Sequence, residues 1–225
     1  MLIATKFSPA WAKSKQRPPI FVAESGNDDV EGNSINITLP SGRDDNSVTL
    51  IVGLARWSGS VTGTLTVGSG TQLAQINNGT NFLSMRVAWL RGSAGSTVTV
   101  SGTGTAFQVG GFCLHYSGCV TTGTPYEGAD TAFGSASTTH TSPATTTGDI
   151  NRLGVRIWGR GGRESSTVGS GWTEDFDVSQ FASSNLFSGA AYSKAIPVAS
   201  TEAAASATAS DSTTWCCQGL ALIPW

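Results

Sequence analysis

Two histidines, His115 and His140, are the only side chains of this sequence that could act as a general base near neutral pH. A hydrolytic triad also needs a serine and a carboxylate near the histidine, and a Gly-x-Ser-x-Gly turn before a helix is a sequence pattern that would support one. The sequence contains no such pattern, and Gly68-Ser69-Gly70 and Gly169-Ser170-Gly171 are better explained as turns. We therefore predict no catalytic residue and expect that the protein is not an enzyme.

Clustered carboxylates are a second type of group that could do chemistry, because they can hold calcium or cleave glycosides. The clusters are Asp28-Asp29, Asp44-Asp45 and Glu174-Asp175-Asp177. They are far apart in the sequence, and the last alone resembles only part of an oxygen cage. We interpret all three as solvated loops and predict neither a metal site nor a cofactor.

The four cysteines lack the spacing of a zinc site. They are Cys113, Cys119, Cys216 and Cys217. On apolar segments such residues act as small hydrophobic groups, so we expect buried free thiols. A disulfide between the two halves of the chain is the alternative.

The aromatic residues raise the question of sugar binding. Trp89 and Tyr192 lie at matched positions within apolar segments, which favours a role in the core. Trp172 follows a turn and is the best candidate for glycan contact. Residues 159–163, Gly-Arg-Gly-Gly-Arg, form a single copy of an RNA-binding type of segment and are interpreted as a loop tip. The formal net charge of −2 further argues against nucleic acid as a partner.

The first 23 residues differ from the remainder in charge, at +4 against −6. Pro9, Pro18 and Pro19 favour an extended arm over residues 1–23. Its candidate partner-binding residues are Lys6, Phe7, Trp11, Lys13, Lys15, Arg17 and Phe21. The alternative is a solvated terminus. No stretch approaches the ~20 apolar residues of a membrane span, and no export signal is present, so we expect no membrane partner and assembly in the cytoplasm.

An internal repeat indicates the secondary-structure elements that position the residues named above. Val67–Leu90 and Val168–Tyr192 share a Gly-Ser-Gly turn and a distal aromatic residue, about one hundred residues apart. Charged residues make up only 12%, and Gly, Ser and Thr are abundant, which favours strands and turns over helices. The chain is therefore predicted to be all-β. We expect a jelly-roll-like antiparallel sandwich, one domain over 24–225 built from half-repeats at about 35–116 and 138–225.

Three segments carry specific expectations. Ile35–Leu39 alternates like the first strand. Ser117–Ser142 is either a functional surface loop or a strand-bearing crossover. Ala203–Ser210 is rich in alanine, but its place in the repeat predicts a strand of small residues.

These patterns resemble the jelly-roll-like β-sandwich virion proteins of tailed bacteriophages, which include head decoration (cement) proteins and minor tail or fibre proteins. The segments that carry the resemblance are Ile37–Asp45, Gly169–Trp172, Ala190–Ala195, Ala203–Ser210 and Gly219–Trp225. The resemblance covers about residues 35–225. It implies a structural role and transfers no site residues.

The resemblance leads to the expectation of a virion protein that binds the major capsid protein or other virion proteins, most simply a decoration protein on the outer capsid surface. Homo-oligomers, commonly trimers, are expected for decoration proteins of this sort. A tail-tip or fibre component is the alternative in the same setting. A carbohydrate-binding module is the alternative from another class, and would use Trp172, Trp158 or Tyr126 for stacking.

Overall fold

The computed structural model describes residues 16–57, 63–79, 82–93, 95–104, 106–163, 165–181 and 187–225. All regular secondary structure in these residues is β-strand, which confirms the all-β prediction. Five of the predicted arm residues lie outside the described residues: Lys6, Phe7, Trp11, Lys13 and Lys15. A search of the described residues for a helix able to cross a bilayer found none.

Among the described residues, the first half of the chain contributes nine strands. They are β1 (Ile20–Glu31), β2 (Ser34–Thr38), β3 (Ser47–Trp57), β4 (Leu65–Val67), β5 (Thr71–Gln72), β6 (Ile76–Asn78), β7 (Leu83–Arg91), β8 (Thr97–Gly102) and β9 (Ala106–Ser117). The second half contributes eight. They are β10 (Tyr126–Thr141), β11 (Thr145–Thr146), β12 (Arg152–Arg160), β13 (Ser166–Val168), β14 (Thr173–Val178), β15 (Ser188–Ile196), β16 (Thr201–Glu202) and β17 (Ser206–Leu222).

Two six-stranded antiparallel sheets form the body of the molecule. The first sheet has the order β1-β9-β3-β7-β5, with β6 also pairing with β7. The second sheet has the order β10-β17-β12-β15-β14, with β13 also pairing with β17. Strands β1 and β14 contact each other on one side, and β6 and β10 do so on the other. The two sheets therefore lie face to face.

The largest apolar cluster draws residues from both sheets. Alternate residues of β3, such as Leu50 and Val52, meet alternate residues of β12, such as Val155 and Ile157. Strands with this alternation bury one side chain in two on a given face. The second sheet approaches closely because of its glycines: a Cβ at Gly159 would lie 2.2 Å from Leu54 Cδ2. A side chain at this position would push the sheets apart.

Each sheet also has a covered outer face. On the first sheet, a three-stranded sheet of order β2-β8-β4 packs its Ile37, Val98 and Val100 against Ile51 and Trp57. On the second sheet, β13 and the beginning of β17 contribute Val168 and Ala207 to a cluster around Trp158 and Tyr192. We call these two regions the first and second cover layers.

Several sequence expectations can be checked against these strands. The segment 117–142 contains β10, which confirms the strand-bearing alternative. The small-residue strand is present from Ser206, as the beginning of β17. The interpretation of Asp28-Asp29 as a solvated loop was wrong, because β1 continues to Glu31. Asp29 is tolerated there because its buried carboxylate accepts a hydrogen bond from Gln108 Nε2 at 2.8 Å.

Candidate interaction surface

The N-terminal strand begins inside the segment predicted to be an extended arm. Ile20 is paired with Ser117 and Phe21 with Tyr116 on β9. The Phe21 ring meets the Tyr116 ring edge-on, with centroids 5.6 Å apart, and packs against the shared core. Phe21 is therefore held by this chain, so the segment predicted to be an arm can extend no further than about Pro19.

An exposed apolar patch lies at the start of β1. Ile20 is 63% exposed and Trp225 is 67% exposed, and both line an open cavity of about 440 Å³ together with Arg17 and Pro18. Trp225 is fixed in place, because its backbone nitrogen donates to the Gly118 carbonyl at 2.9 Å. We call this surface the Trp225 patch. Contiguous exposed apolar patches mark interaction sites, whereas exposed apolar residues that are scattered singly are ordinary.

A larger groove, of about 610 Å³, adjoins the patch on the other side of Ile20. Its walls come from the start of β1, from β14 and from β15. The lining residues are Pro18, Pro19, Ile20, Phe21, Leu153, Gly171, Thr173, Glu174, Asp175, Ser193, Lys194 and Ala195. The groove thus combines an apolar wall with carboxylates, hydroxyls and one ammonium group.

Asp175 is the most perturbed group of this groove. A register shift between Glu174 and Phe176 leaves Asp175 without a partner residue on β15. Its carboxylate accepts hydrogen bonds from Tyr116 Oη and Ser193 Oγ, each at 2.8 Å, and so joins the two sheets. Burial raises the pKa of Asp175 to about 6, against the two hydrogen bonds, which lower it. This carboxyl group therefore titrates in a range where most aspartates are fully ionised.

Trp172 lies beside the groove and is half-buried. Arg156 stacks on its ring, with the guanidinium carbon 5.0 Å from the centroid, and Lys194 Nζ lies 5.9 Å from the same centroid. Its ring also packs against the cluster of the second cover layer. Two cations therefore occupy positions over the ring that was predicted to be free for a sugar.

The other two aromatic residues considered for sugar stacking, Trp158 and Tyr126, both pack against other side chains of this chain. Trp158 is fully buried, and its ring meets that of Tyr192 edge-on at 5.7 Å. Tyr126 begins β10 and packs against the shared core. Trp158 therefore offers no ring surface to a ligand, because it is enclosed between the second sheet and the second cover layer.

Both histidines are buried and neither bonds to a carboxylate within the described residues. His140 Nε2 lies 2.8 Å from the Ser137 carbonyl, and its ring stacks on Trp215 at 5.3 Å. Burial lowers the pKa of His140 to about 4 and also lowers that of His115. The part of the chain that the structure describes contains no group of three potential metal ligands.

The cysteines are free and buried, as predicted. Burial raises the pKa of the Cys113, Cys119 and Cys216 thiols to about 12, and that of Cys217 well above its ordinary value. Thiols that stay protonated are poor nucleophiles. These residues therefore act as small apolar side chains.

A row of buried arginines was missed by the sequence interpretation. Arg152, Arg156 and Arg160 are spaced by four residues along β12 and all face the second cover layer. An even spacing places side chains on one face of a strand, so the signal was present. It was overlooked because Arg160 was read as part of a flexible Gly/Arg loop, whereas β12 continues through it.

Comparison of the chain with protein families, with curated proteins and with solved structures found no match.

Proposed function

We propose that this chain is a structural virion protein of the kind found in tailed bacteriophages, and most specifically a decoration protein that binds the outer capsid surface. The observation that carries the proposal is the Trp225 patch at the root of a basic N-terminal segment. Ile20 and Trp225 are more than half exposed there, next to Arg17. A fixed apolar surface beside a basic segment suits an acidic neighbour with an apolar depression.

The proposed fold is a single jelly-roll-like sandwich made of two pseudo-repeated halves. Supporting this, each six-stranded sheet begins with the first strand of its half and places the last strand of that half beside it. In the first sheet these are β1 and β9, and in the second they are β10 and β17. The central strands β3 and β12 come next in both. One shared core between the sheets supports one domain.

A decoration protein acts by spanning boundaries between capsid subunits. A stable interface buries about 1,200–2,000 Å², and a patch of two or three large side chains supplies only part of that area. The arm supplies more contact, and many symmetry-related copies make individually weak contacts sufficient. The oligomeric state proposed with this function is a homo-oligomer.

The test is a binding assay with phage particles prepared without this protein. We compare the full chain with a variant lacking residues 1–17, which retains all of β1, and with Trp225→Ser. Both variants are expected to remain folded and to lose at least tenfold in affinity for the particles. Val198→Ser is the matched control, because Val198 is 60% exposed but lies in the connection after β15.

Undiminished binding of both variants would refute the role of this surface. Electron microscopy of the reconstituted particles then locates the protein. Density on the head supports the decoration protein, whereas density at the tail supports the tail-tip or fibre alternative.

A carbohydrate-binding module is the second candidate, and the 610 Å³ groove favours it. Carboxylates and hydroxyls of the groove can hydrogen-bond sugar hydroxyls, and Phe21 supplies ring surface. Trp172 would add to it once Arg156 and Lys194 moved off its ring. A glycan array with the full chain and with Trp172→Ala tests this candidate. Selective saccharide binding that is lost in the variant would replace the decoration proposal, and no binding would exclude this candidate.

A further inference from the structure

Strand β10 forms one outer edge of the second sheet and is unusually long for an edge strand. It has 16 residues, and among the described strands it pairs with β17 alone. An outer strand presents backbone N–H and C=O groups that no neighbour satisfies, so it is a template for pairing with another chain.

The other strands at the ends of the two six-stranded sheets carry features that usually prevent such pairing. β1 contains four carboxylates, Glu24, Asp28, Asp29 and Glu31, and β5 has only two residues. β14 contains Glu174, Asp175 and Asp177. Residues 131–139 of β10, by contrast, contain no charged residue, no proline and no lysine. Among these four strands, β10 therefore has the longest run without charged residues.

One part of β10 is regular and also presents an exposed aromatic side chain. Residues Asp130 to Gly134 pair with Gly219 to Trp215 without interruption, between register shifts on either side. Phe133 lies in this part and is 60% exposed. The shifts limit the flat part of the edge to about five residues.

We propose that a second copy of this chain pairs with β10 along Asp130–Gly134, antiparallel, about a twofold axis at Ala132. In this register Thr131 lies opposite the second copy's Phe133, and the reverse contact is equivalent. Aromatic and β-branched residues form favourable cross-strand pairs. The contact is independent of the proposed virion function.

Charge does not oppose pairing with a second copy at β10. The twofold axis at Ala132 places Asp130 opposite Gly134, four residues from the second copy's Asp130. That separation is roughly 13 Å at the rise of a strand. It exceeds the Debye length of about 8 Å at physiological ionic strength, so the two carboxylates barely repel each other. The same pairing at β1 or β14 would bring several carboxylates together.

The size of the contact sets its strength. A five-residue edge is much smaller than a stable interface of about 1,200–2,000 Å². We therefore expect a reversible dimer that forms at micromolar concentrations or above, and that is strengthened wherever copies are held close together.

Sedimentation equilibrium of the full chain over 1–500 µM tests the dimer. We expect a monomer–dimer equilibrium whose dissociation constant rises at least tenfold in Phe133→Lys, because two ammonium groups then face the contact. Val198→Lys is the matched control and is expected to leave the constant unchanged. Circular dichroism of both variants checks that they are folded. A monomer at all concentrations, or a dimer equally stable in Phe133→Lys, would overturn the proposal.

Cysteine cross-linking tests the register separately. In the proposed dimer Ala132 lies opposite itself, at the Cα separation of about 4.5–5.5 Å of paired residues, which a disulfide can span. Ala132→Cys should therefore give a covalent dimer on mild oxidation. Ala136→Cys, which is exposed on the same strand but lies about 26 Å from its copy in this register, should stay monomeric. Equal cross-linking of the two variants would contradict the register.

Discussion

The two cover layers enclose equivalent faces of the two sheets but are filled in opposite ways. The outward residues of the central strand β3 are Thr49, Ile51, Gly53, Ala55 and Trp57. Those of the central strand β12 are Arg152, Gly154, Arg156, Trp158 and Arg160. The same strand order therefore accepts either an apolar or a strongly polar layer.

In the first cover layer, burial of apolar area is the main stabilising term. Trp57 is 1% exposed, and the only polar group on its ring, Nε1, donates to Ser84 Oγ at 2.8 Å. Valines and isoleucines of β2 and β8 complete the layer. Such packing contributes about 25 cal/mol per Å² of apolar surface removed from water.

In the second cover layer, each buried charge needs compensation. Arg160 donates to Ser166 Oγ, and its Nη1 lies 3.7 Å from Asp177 Oδ1. Arg156 donates to Ser142 Oγ at 3.0 Å and stacks on Trp172, but within the described residues it has no carboxylate at salt-bridge distance. The stability of the second cover layer therefore depends on particular hydrogen-bond and charge partners, whereas that of the first depends on how well apolar side chains fill its volume.

The largest expected effect breaks the apolar layer. Trp57→Ala removes a fully buried indole and is expected to lower the free energy of unfolding by about 3–5 kcal/mol. Urea denaturation followed by circular dichroism measures it. Trp225→Ala is the control, since Trp225 is largely exposed, and it should change stability by no more than about 0.5 kcal/mol. Similar losses in both variants would show that the first cover layer is loosely packed.

The next effect distinguishes the arginines of the polar layer. Arg160→Met leaves Asp177 buried without its cation and is expected to cost about 3 kcal/mol. Arg156→Met removes a desolvated charge that has no carboxylate partner, so its cost should stay within about 1 kcal/mol, or stability should rise. Urea denaturation of the two variants compares them directly. If Arg156→Met cost as much as Arg160→Met, the stacking on Trp172 would be worth as much as the ion pair.

A third prediction concerns the pH dependence of stability, which we expect to arise in part from Asp175 in the second half of the chain. The pKa of Asp175 is about 6 in the folded protein and about 3.9 in an unfolded chain. Protonation therefore favours the folded state: this contribution is complete below pH 4 and is lost as the pH rises through 6. It amounts to at most about 3 kcal/mol, less whatever solvent screens. Asp175→Asn should remove this pH dependence. Its free energy of unfolding should therefore rise relative to that of the wild type as the pH goes from 4 to 7.

The measurement is the difference in unfolding free energy between wild type and Asp175→Asn from pH 4 to pH 7. The difference is needed because His140 acts in the opposite direction. Its pKa is about 4 in the folded protein and about 6.5 in an unfolded chain, so its contribution is lost as the pH falls. A difference that stays constant with pH would exclude Asp175 as the titrating group.

The smallest effect on stability is expected at the partly exposed ion pair between Lys194 and Glu202. Lys194 Nζ lies 2.6 Å from Glu202 Oε1, but the Lys194 side chain is 32% exposed. Solvent and salt screen such pairs, so Lys194→Met should cost no more than about 1 kcal/mol, and less at high ionic strength. Thermal unfolding at two salt concentrations measures it. A loss of stability larger than that of Arg160→Met would show that the exposed ion pair contributes more than the buried one.

Sequence reasoning predicted the strand class and the free thiols because both follow from local patterns. Alternation along Ile35–Leu39 identifies a strand without knowledge of its neighbours, and the place of Ala203–Ser210 in the repeat predicts another. The extent of β1 could not be predicted in this way. Asp28 and Asp29 are typical turn residues, and only the pairing of β1 with β9 makes them part of a strand.

The candidate surface depended even more on long-range contacts. Arg17 and Phe21 were predicted to act together, but pairing with β9 directs Phe21 to the core and leaves Ile20 and Trp225, 205 positions apart in the sequence, on the surface. Trp172 was identified from its turn. Its contact with Arg156 arises only when β12 and the segment before β14 come together.

The sequence by itself determined that this chain forms strands and that its first 23 residues carry a net positive charge, because propensity, periodicity and local charge are properties of neighbouring residues. Only the tertiary structure decided which faces are buried, which edge stays open and which arginine meets a carboxylate. Those outcomes depend on contacts between residues far apart in the chain, whose free energy appears only once the two sheets have come together.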